Sequence, residues 1–303
     1  KAFHWGELWG NLRKRVPDKD YHTDYEVSNA KTNGADTVTL QFTIGSEADF
    51  DLVIFADGYQ SLGRQLLFPD HNLDYRGYML WRGLLPEKEM NDSTPLGSNV
   101  PRISYAGLPG NLVVYFIPHQ NGSMEKGNRI FNWAAYIPIP EPELPEFMVD
   151  RDGISRAGTI HPGKMNLEEE DRLKRLMQDN LPTYYGDVIA KTQNTYVQLI
   201  YTNRLPAYCQ GRIGLIGDAG LVAQPFTGSG VFKGNNNVKD LLEALDSYAK
   251  IEDALQHWSK EQMRIGNRLL ALGEQMEQAF IWDSLNLATA DATTTEAWWK
   301  ASV

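Results

Sequence analysis

An α/β fold with an inserted, mostly antiparallel β-sheet and C-terminal helices is predicted by three features of the sequence. Two short apolar segments, 50–58 and 213–216, have the composition of strands that are buried on both faces. Each segment is followed by a turn containing Asp and Gly. Between the two segments lies a β-rich insert of about 130 residues, with Pro and Gly between its apolar stretches. We therefore expect the two segments to meet in one sheet and the intervening residues to form an insert.

Hydrophobic periodicity predicts the other elements. In residues 1–16, apolar residues recur on one helical face, which predicts a helix that ends at Pro17. In residues 37–44, apolar and polar residues alternate, which predicts a half-buried strand. Short strands are predicted at 75–85, 112–118, 130–138 and 194–206. Helices are predicted at 166–182, 233–245 and 251–281, whereas the tail from Ala288 is expected to be irregular.

Charge and cysteine usage limit the classes of partner. The 303-residue chain has a net charge of −10 and a pI of about 5.1, which argues against nucleic acid or anionic lipid as its main partner. No apolar run approaches the length of a membrane span. Cys209 is the only cysteine, so an internal disulfide is impossible and a reducing, cytoplasmic compartment is expected. We find no Cys/His spacing typical of a metal site.

The first turn, "ADGYQSLGR", follows the apolar segment 50–58. Two interpretations stay open from this stretch alone. Asp57 could position a polar group of a cofactor while Arg64 anchors a phosphate or carboxylate. Alternatively, the stretch is a β-turn with an Asp N-cap.

The second turn begins at Gly217 and Asp218, directly after the segment 213–216. The Asp218 carboxylate could accept hydrogen bonds from a vicinal diol such as a ribityl or ribose chain. Gly228 and Gly230 would let backbone N–H groups approach a ligand closely. Ligands bind at the carboxyl ends of strands in open α/β sheets, which favours a binding role.

Taken together, the two turns resemble the class A flavoprotein monooxygenases, which have the para-hydroxybenzoate hydroxylase fold. "ADGYQSLGR" is similar to the second fingerprint of that family, and "GDA" followed by P-x-x-G-x-G is similar to the third. "YRGYMLWRGLLPE" looks like the strand that enters the substrate domain. Within the family, the chain resembles the 2,6-dihydroxypyridine 3-monooxygenase-like members. The resemblance covers nearly the whole chain.

The resemblance implies an FAD-dependent hydroxylase that uses NAD(P)H and O2 on an electron-rich aromatic or hydroxypyridine ring. It implies an FAD-binding Rossmann-like domain of residues 1–73 and 207–287, a β-rich substrate domain of residues 74–206, and a C-terminal tail of residues 288–303. It assigns the following residues to cofactor binding: Asp57, Gly58, Arg64, Gly217, Asp218, Pro225, Gly228, Ser229 and Gly230.

The catalytic base is not assigned. The resemblance implies that the sheet of the insert covers the flavin ring, so the candidates for the base are residues of the insert. His119, Tyr115 and Tyr105 are the candidates for the base. Trp133 and Tyr136 are further candidates for contact with a small aromatic substrate.

Several positions depart from the family pattern. Gly220 and Leu221 stand where Ala-His is usual, and Phe232 and Asn237 stand where Asn and Asp are common. Trp5 occupies the position of an Arg that often contacts the flavin side chain. The contacts that tune the flavin are therefore expected to differ here.

The first fingerprint of the family, a GxGxxG turn that binds the FAD pyrophosphate, is not in this sequence. We expect it roughly 80–100 residues upstream of Lys1, on a strand that completes the domain. That segment could be a separate chain, could have been removed, or could lie outside the given sequence. A short gene product that cannot hold FAD is the alternative.

Other functions stay open at this stage. The same fold could perform another flavin reaction, such as epoxidation. A degenerate or truncated flavoprotein could act as a ligand-binding module only. The expected partners are a small aromatic substrate and the missing N-terminal segment or a complementary chain, and homodimer formation also stays open.

Overall fold

Two units make up the computed structural model, which describes residues 5–34, 36–96, 100–119, 121–283 and 291–302. The α/β unit consists of Asp18–Asp74 and Tyr201–Glu277. The sheet unit consists of Lys1–Pro17, Tyr75–Ile200 and Gln278–Val303. The chain thus leaves the α/β unit for the insert and returns to it. The first helix and the C-terminal segment group with the sheet unit, whereas the domain bounds predicted above place the first helix with the cofactor domain.

The strands, in chain order, are β1 (Val27–Asn33), β2 (Thr37–Phe42), β3 (Glu47–Phe50), β4 (Val53–Phe55), β5 (Asp74–Pro86), β6 (Arg102–Ser104), β7 (Asn111–Ile117), β8 (Ile130–Pro138), β9 (Thr159–Ile160), β10 (Tyr196–Thr202), β11 (Cys209–Gln210) and β12 (Ile213–Leu215). The α-helices are α1 (Trp5–Arg13), α2 (Leu62–Leu67), α3 (Leu144–Phe147), α4 (Leu167–Asn180), α5 (Thr183–Lys191), α6 (Gly230–Ser247), α7 (Ile251–Glu277) and α8 (Ala292–Ser302). The mixed α/β fold with an antiparallel sheet and C-terminal helices confirms the predicted fold class.

The two apolar segments meet in one sheet of the α/β unit, as predicted. Strands β4 and β12 are parallel neighbours, with Val53 opposite Ile213 and Phe55 opposite Leu215, and β11 lies on the other side of β12. These four side chains are buried in one core. Their burial explains why both segments are apolar, although most of the 150 residues between them fold elsewhere.

A glycine allows α2 to lie directly against β4. A Cβ atom on Gly63 would be 2.2 Å from Cγ of Phe55, which is far closer than van der Waals contact. Residue 63 must therefore lack a side chain for the turn after β4 to pack on its own strand.

The sheet unit is built on a six-stranded sheet with the order β6–β7–β8–β5–β10–β9. Its predicted strands agree with the structure to within a few residues at their ends. One face carries the large buried residues Trp81 and Trp133, and the Trp133 indole donates to the Thr192 hydroxyl at the end of α5 (3.0 Å). This helix-covered face is the hydrophobic core of the unit.

Several elements differ from the sequence expectation, among them β1, α5 and α8. Strand β1 was not predicted because its sequence, VSNAKTN, is polar; it forms by antiparallel pairing with β2. Helix α5 was not predicted, and its Gly186 allows close packing on α4, where a Cβ atom would be 3.1 Å from Cα of Gln178.

The expectation of an irregular tail was wrong for residues 292–302, which form α8. The Asp291 carboxylate accepts hydrogen bonds from the backbone N–H and the hydroxyl of Thr294 (both 2.7 Å). This arrangement caps the first turn of the helix, which the Thr-rich composition obscured. The earlier part of the predicted tail, residues 288–290, lies outside the described residues.

No helix among the described residues is long and apolar enough to cross a membrane.

A buried ion pair in the sheet unit makes its stability depend on pH. Glu87 accepts hydrogen bonds from the Arg129 guanidinium (2.6 and 2.9 Å) and from the backbone N–H of Gly127 (2.8 Å). The hydrogen bonds from Arg129 are the main cause that lowers the pKa of Glu87 from 4.5 to about 2. Because the pKa is depressed in the folded state, the stabilisation is present above pH 4.5 and is lost as pH falls towards 2.

We expect Glu87→Gln to lower the free energy of unfolding by about 2–3 kcal/mol near neutral pH. The difference from wild type should shrink as pH falls from about 4 to about 2. Urea unfolding at several pH values measures it. Glu169→Gln, which breaks the exposed pair with Arg172, is the matched control and should cost less than 1 kcal/mol. A pH-independent difference for Glu87→Gln would contradict this account.

Candidate cofactor site

The two predicted turns lie side by side in the α/β unit. Both follow the carboxyl ends of the parallel strands β4 and β12, and the backbone N–H of Ile216 donates to the carbonyl of Phe55 (3.0 Å). Carboxylates therefore occur at the same edge of the sheet, Asp57 after β4 and Asp218 after β12. Both residues are exposed. The arrangement is that of a ligand site at the carboxyl edge of an α/β sheet.

Arg64 joins the two turns from within. Its side chain is buried, and its guanidinium donates to the backbone carbonyls of Asp218 and Ala219 (both 3.3 Å) and of Tyr59. Burial lowers the pKa of Arg64, and the nearby carboxylates of Asp57 and Asp218 act in the opposite direction. The guanidinium thus holds carbonyls of both turns. The hydrogen bond from Arg64 to Asp218 joins residues that are 154 positions apart in the sequence.

The first turn is ordered by side-chain hydrogen bonds to the start of α2. The Ser61 hydroxyl accepts from the backbone N–H of Arg64 (2.9 Å), and the Asp57 carboxylate accepts from that of Gly63 (3.2 Å). Ser61 rather than Asp57 is therefore the N-cap. Asp57 thus fixes the shape of the turn, and the residue as a whole is exposed.

A buried lysine that sequence reasoning missed holds Asp218. The Lys233 ammonium lies 2.6 Å from Oδ1 of Asp218 and also donates to the carbonyl of Leu221. The Lys233 side chain is only 6% exposed, whereas that of Asp218 is 53% exposed. One carboxylate oxygen is thus fixed by the protein, and the other is available to a ligand. The sequence signal that could have identified Lys233 is a lone lysine on the buried side of a helix.

A polar network supports the second turn from α6 and α7. Oδ1 of Asn237 accepts from the backbone N–H of Gly217 (2.9 Å), and its Nδ2 donates to Gln262 (2.7 Å). Gln262 in turn donates to Asp240 (2.8 Å). A carboxylate at position 237 could accept but not donate, so the amide found here fits a network that continues into α7.

The backbone of both turns faces open space at its glycines. A Cβ atom added to Gly58, Gly217, Gly228 or Gly230 would meet no other atom within 4 Å. The first three have φ values of +79°, +60° and +60°, which side chains rarely adopt. Open backbone beside an exposed carboxylate fits the ribityl and phosphate parts of an FAD, so the residues present are compatible with that cofactor.

The substrate candidates of the sheet unit occupy different environments. Tyr115 and Tyr136 lie on the face of the sheet opposite to Trp133, as the strand register shows. His119 is exposed in the loop after β7, outside the strands. Tyr105 is buried, and burial raises the pKa of its phenol well above its usual value. Because such a phenol stays protonated at neutral pH, Tyr105 is disfavoured as a base.

Comparison with known proteins adds a family match and named relatives. Residues 75–202 match the family model described as FAD binding domain-like. The 2,6-dihydroxypyridine 3-monooxygenase of Paenarthrobacter nicotinovorans is 26% identical over 88% of this chain and 66% of its own length. The 3-amino-4-hydroxybenzoate 2-monooxygenase of Streptomyces cremeus is 28% identical over 70% of this chain and 45% of its own length.

A solved structure has the same fold. The 2,6-dihydroxypyridine-3-hydroxylase of Arthrobacter nicotinovorans aligns with a TM-score of 0.82 at 25% identity, over 94% of this chain and 72% of that one. These matches confirm the resemblance that the two turns predicted. This chain spans about two thirds of the length of the first curated relative and less than half of the second.

Proposed function

We propose, from the homology of this chain to class A flavin-dependent monooxygenases, that the full-length protein hydroxylates an electron-rich aromatic or hydroxypyridine ring with FAD, NAD(P)H and O2. The observation that carries the proposal is the meeting of the two turns at the carboxyl edge of β4 and β12. Together they offer an exposed Asp218 carboxylate and glycine backbone open to a ligand.

FAD, when bound, supplies the redox chemistry that activates O2, and the protein binds and orients the reactants. Asp218 accepts a hydrogen bond from a ribityl hydroxyl, with Lys233 holding its other oxygen. Gly217, Gly228 and Gly230 allow backbone N–H groups to approach the cofactor. Pro225 and Ser229 complete the same turn. Backbone N–H groups at the start of α6 favour negative charge close to them.

Asp57, Gly58 and Arg64 support the site from the first turn. Arg64 acts through the carbonyls that it holds, because its guanidinium is buried in the protein rather than presented to a ligand. We infer a cytoplasmic location for the enzyme, because the only cysteine of the chain cannot form an internal disulfide.

We expect Asp57→Ala to slow flavin reduction by NAD(P)H or to weaken cofactor binding, while the affinity for the aromatic substrate is retained. The reason is that Asp57 orders the first turn by accepting a hydrogen bond from the backbone N–H of Gly63, and this turn belongs to the α/β unit. Stopped-flow reduction and a substrate titration measure the two effects separately. A loss confined to substrate affinity would show that the turn is misassigned.

The experiment that tests the function is NAD(P)H oxidation by the full-length protein with a panel of phenols and hydroxypyridines, in the presence of labelled O2. The proposal expects one ring to stimulate oxidation and to gain one labelled hydroxyl. A labelled epoxide would assign another flavin reaction. A colourless protein that no added FAD turns yellow, yet binds an aromatic ligand, would instead indicate a ligand-binding module.

A further inference from the structure

Two buried hydrogen-bond donors on one face of the six-stranded sheet have no partner among the residues that the structure describes. They are Nε of Arg82 on β5 and Nδ2 of Asn132 on β8. Asn132 is only 3% exposed. Because buried donors in folded proteins are almost always paired, two unpaired ones close together indicate an acceptor that does not belong to this chain.

The strand register places both donors on the same face. Arg82 lies opposite Ala134 and Leu84 opposite Asn132, so Arg82 and Asn132 are diagonal neighbours on adjacent strands. Such neighbours are roughly 7–8 Å apart, which the long arginine side chain can span. Tyr115 on β7 lies opposite Asn132 and adds a phenol beside the two donors. The helix-covered face with Trp133 is on the other side of the sheet.

The Arg82 guanidinium is held in place but not neutralised. It donates to Oε1 of Gln198 (3.2 Å) and lies 5.4 Å from the ring centre of Tyr196. In the described part of the chain, no carboxylate lies within ion-pair distance of it. The site therefore combines positive charge, free donors and the aromatic rings of Tyr115 and Tyr196.

We propose that Arg82 and Asn132 bind a negatively charged oxygen of a planar aromatic ligand. Both unpaired atoms are hydrogen-bond donors, so the ligand must offer an acceptor. The positive charge of Arg82 favours an anionic acceptor, and the flanking aromatic rings favour a flat ligand. The inference rests on the proposed function, because it specifies which substrates the enzyme accepts. The oxygen could belong to a deprotonated ring hydroxyl or to a ring carboxylate.

Isothermal titration calorimetry on the full-length protein tests this, with 2,6-dihydroxypyridine in its deprotonated form, benzoate and the uncharged 2,6-dimethoxypyridine as probes. We expect at least one charged probe to bind at least tenfold more tightly than the uncharged one. Tighter binding of the dihydroxypyridine assigns a ring oxyanion, and tighter binding of benzoate assigns a carboxylate. Failure of both charged probes to bind would overturn the inference.

Substitutions connect the binding to the two donors. Arg82→Met should raise the Kd of the charged probe roughly 10- to 150-fold and leave that of the uncharged probe unchanged. Arg82→Lys should keep the preference for charge, and Asn132→Leu should weaken charged-probe binding. Arg172→Met, at an exposed arginine of α4, is the control and should leave the Kd unchanged. Thermal unfolding checks that each variant is folded.

An unchanged Kd of the charged probe in folded Asn132→Leu, or in folded Arg82→Met, would overturn the inference. Its failure is distinguishable from that of the proposed function. Ring hydroxylation by a protein whose variants all keep their Kd would reject only the anion site. Arg82-dependent binding without hydroxylation of any ring would reject only the proposed reaction.

Discussion

Arg64→Met should destabilise the α/β unit by roughly 3 kcal/mol or more, because each buried carbonyl left without a donor costs about 1–3 kcal/mol, and it should also reduce FAD affinity. The substitution leaves the carbonyls of Tyr59, Asp218 and Ala219 without their common donor. It also removes the positive charge beside Asp57 and Asp218. Because the same guanidinium holds both turns, we expect the loss of stability and the loss of cofactor binding to appear together.

Urea unfolding and an FAD titration of the full-length protein measure the two effects. Arg64→Lys keeps the charge but lacks the planar fork of five N–H donors with which the guanidinium reaches carbonyls of both turns, so it should fall between wild type and Arg64→Met. Arg264→Met, at an exposed arginine paired with Glu261, is the matched control and should change stability by less than 1 kcal/mol. Wild-type stability in Arg64→Met would exclude the guanidinium as the link between the turns.

Asp218→Ala should weaken FAD binding by roughly 10- to 150-fold. A hydrogen bond to a charged acceptor contributes about 1.5–3 kcal/mol, and each 1.4 kcal/mol corresponds to about tenfold in affinity. The carboxylate is exposed on one side and fixed by Lys233 on the other, so it is oriented before the ligand arrives. We expect this change to reduce FAD retention more than any other single substitution in the chain.

The FAD dissociation constant of the full-length protein gives the readout for this variant. Asp218→Asn keeps an acceptor oxygen and should lose less affinity than Asp218→Ala. Glu243→Ala, which removes an exposed carboxylate from the same α6 region, should bind FAD as wild type does. An unchanged dissociation constant in folded Asp218→Ala would remove this residue from the site.

Apolar character and turn chemistry were enough to predict the main architecture. The strands β4 and β12 could be paired from sequence because both are short, apolar and followed by Asp and Gly turns. Strand β1 could not be predicted, since polar residues form it only through pairing with β2. Helix α8 was hidden by its Thr-rich composition, because its Asp291 cap is a local contact that hydrophobic periodicity does not report.

The site was predictable only in its exposed parts. The motif residues Asp57, Gly217 and Asp218 are recognisable because their spacing from a strand is short and local. The role of Arg64 depends on carbonyls 154 and 155 residues away, which no local pattern encodes. Lys233 and the unpaired donors of Arg82 and Asn132 become visible only when packing shows which polar atoms are buried.

The central claim is that the two turns form one FAD-binding site, and hydrogen–deuterium exchange of the full-length protein with and without FAD tests it most directly. Slower exchange on FAD addition is expected in both 56–64 and 217–230. FAD binding that protects only one of these turns, or neither, would contradict the account.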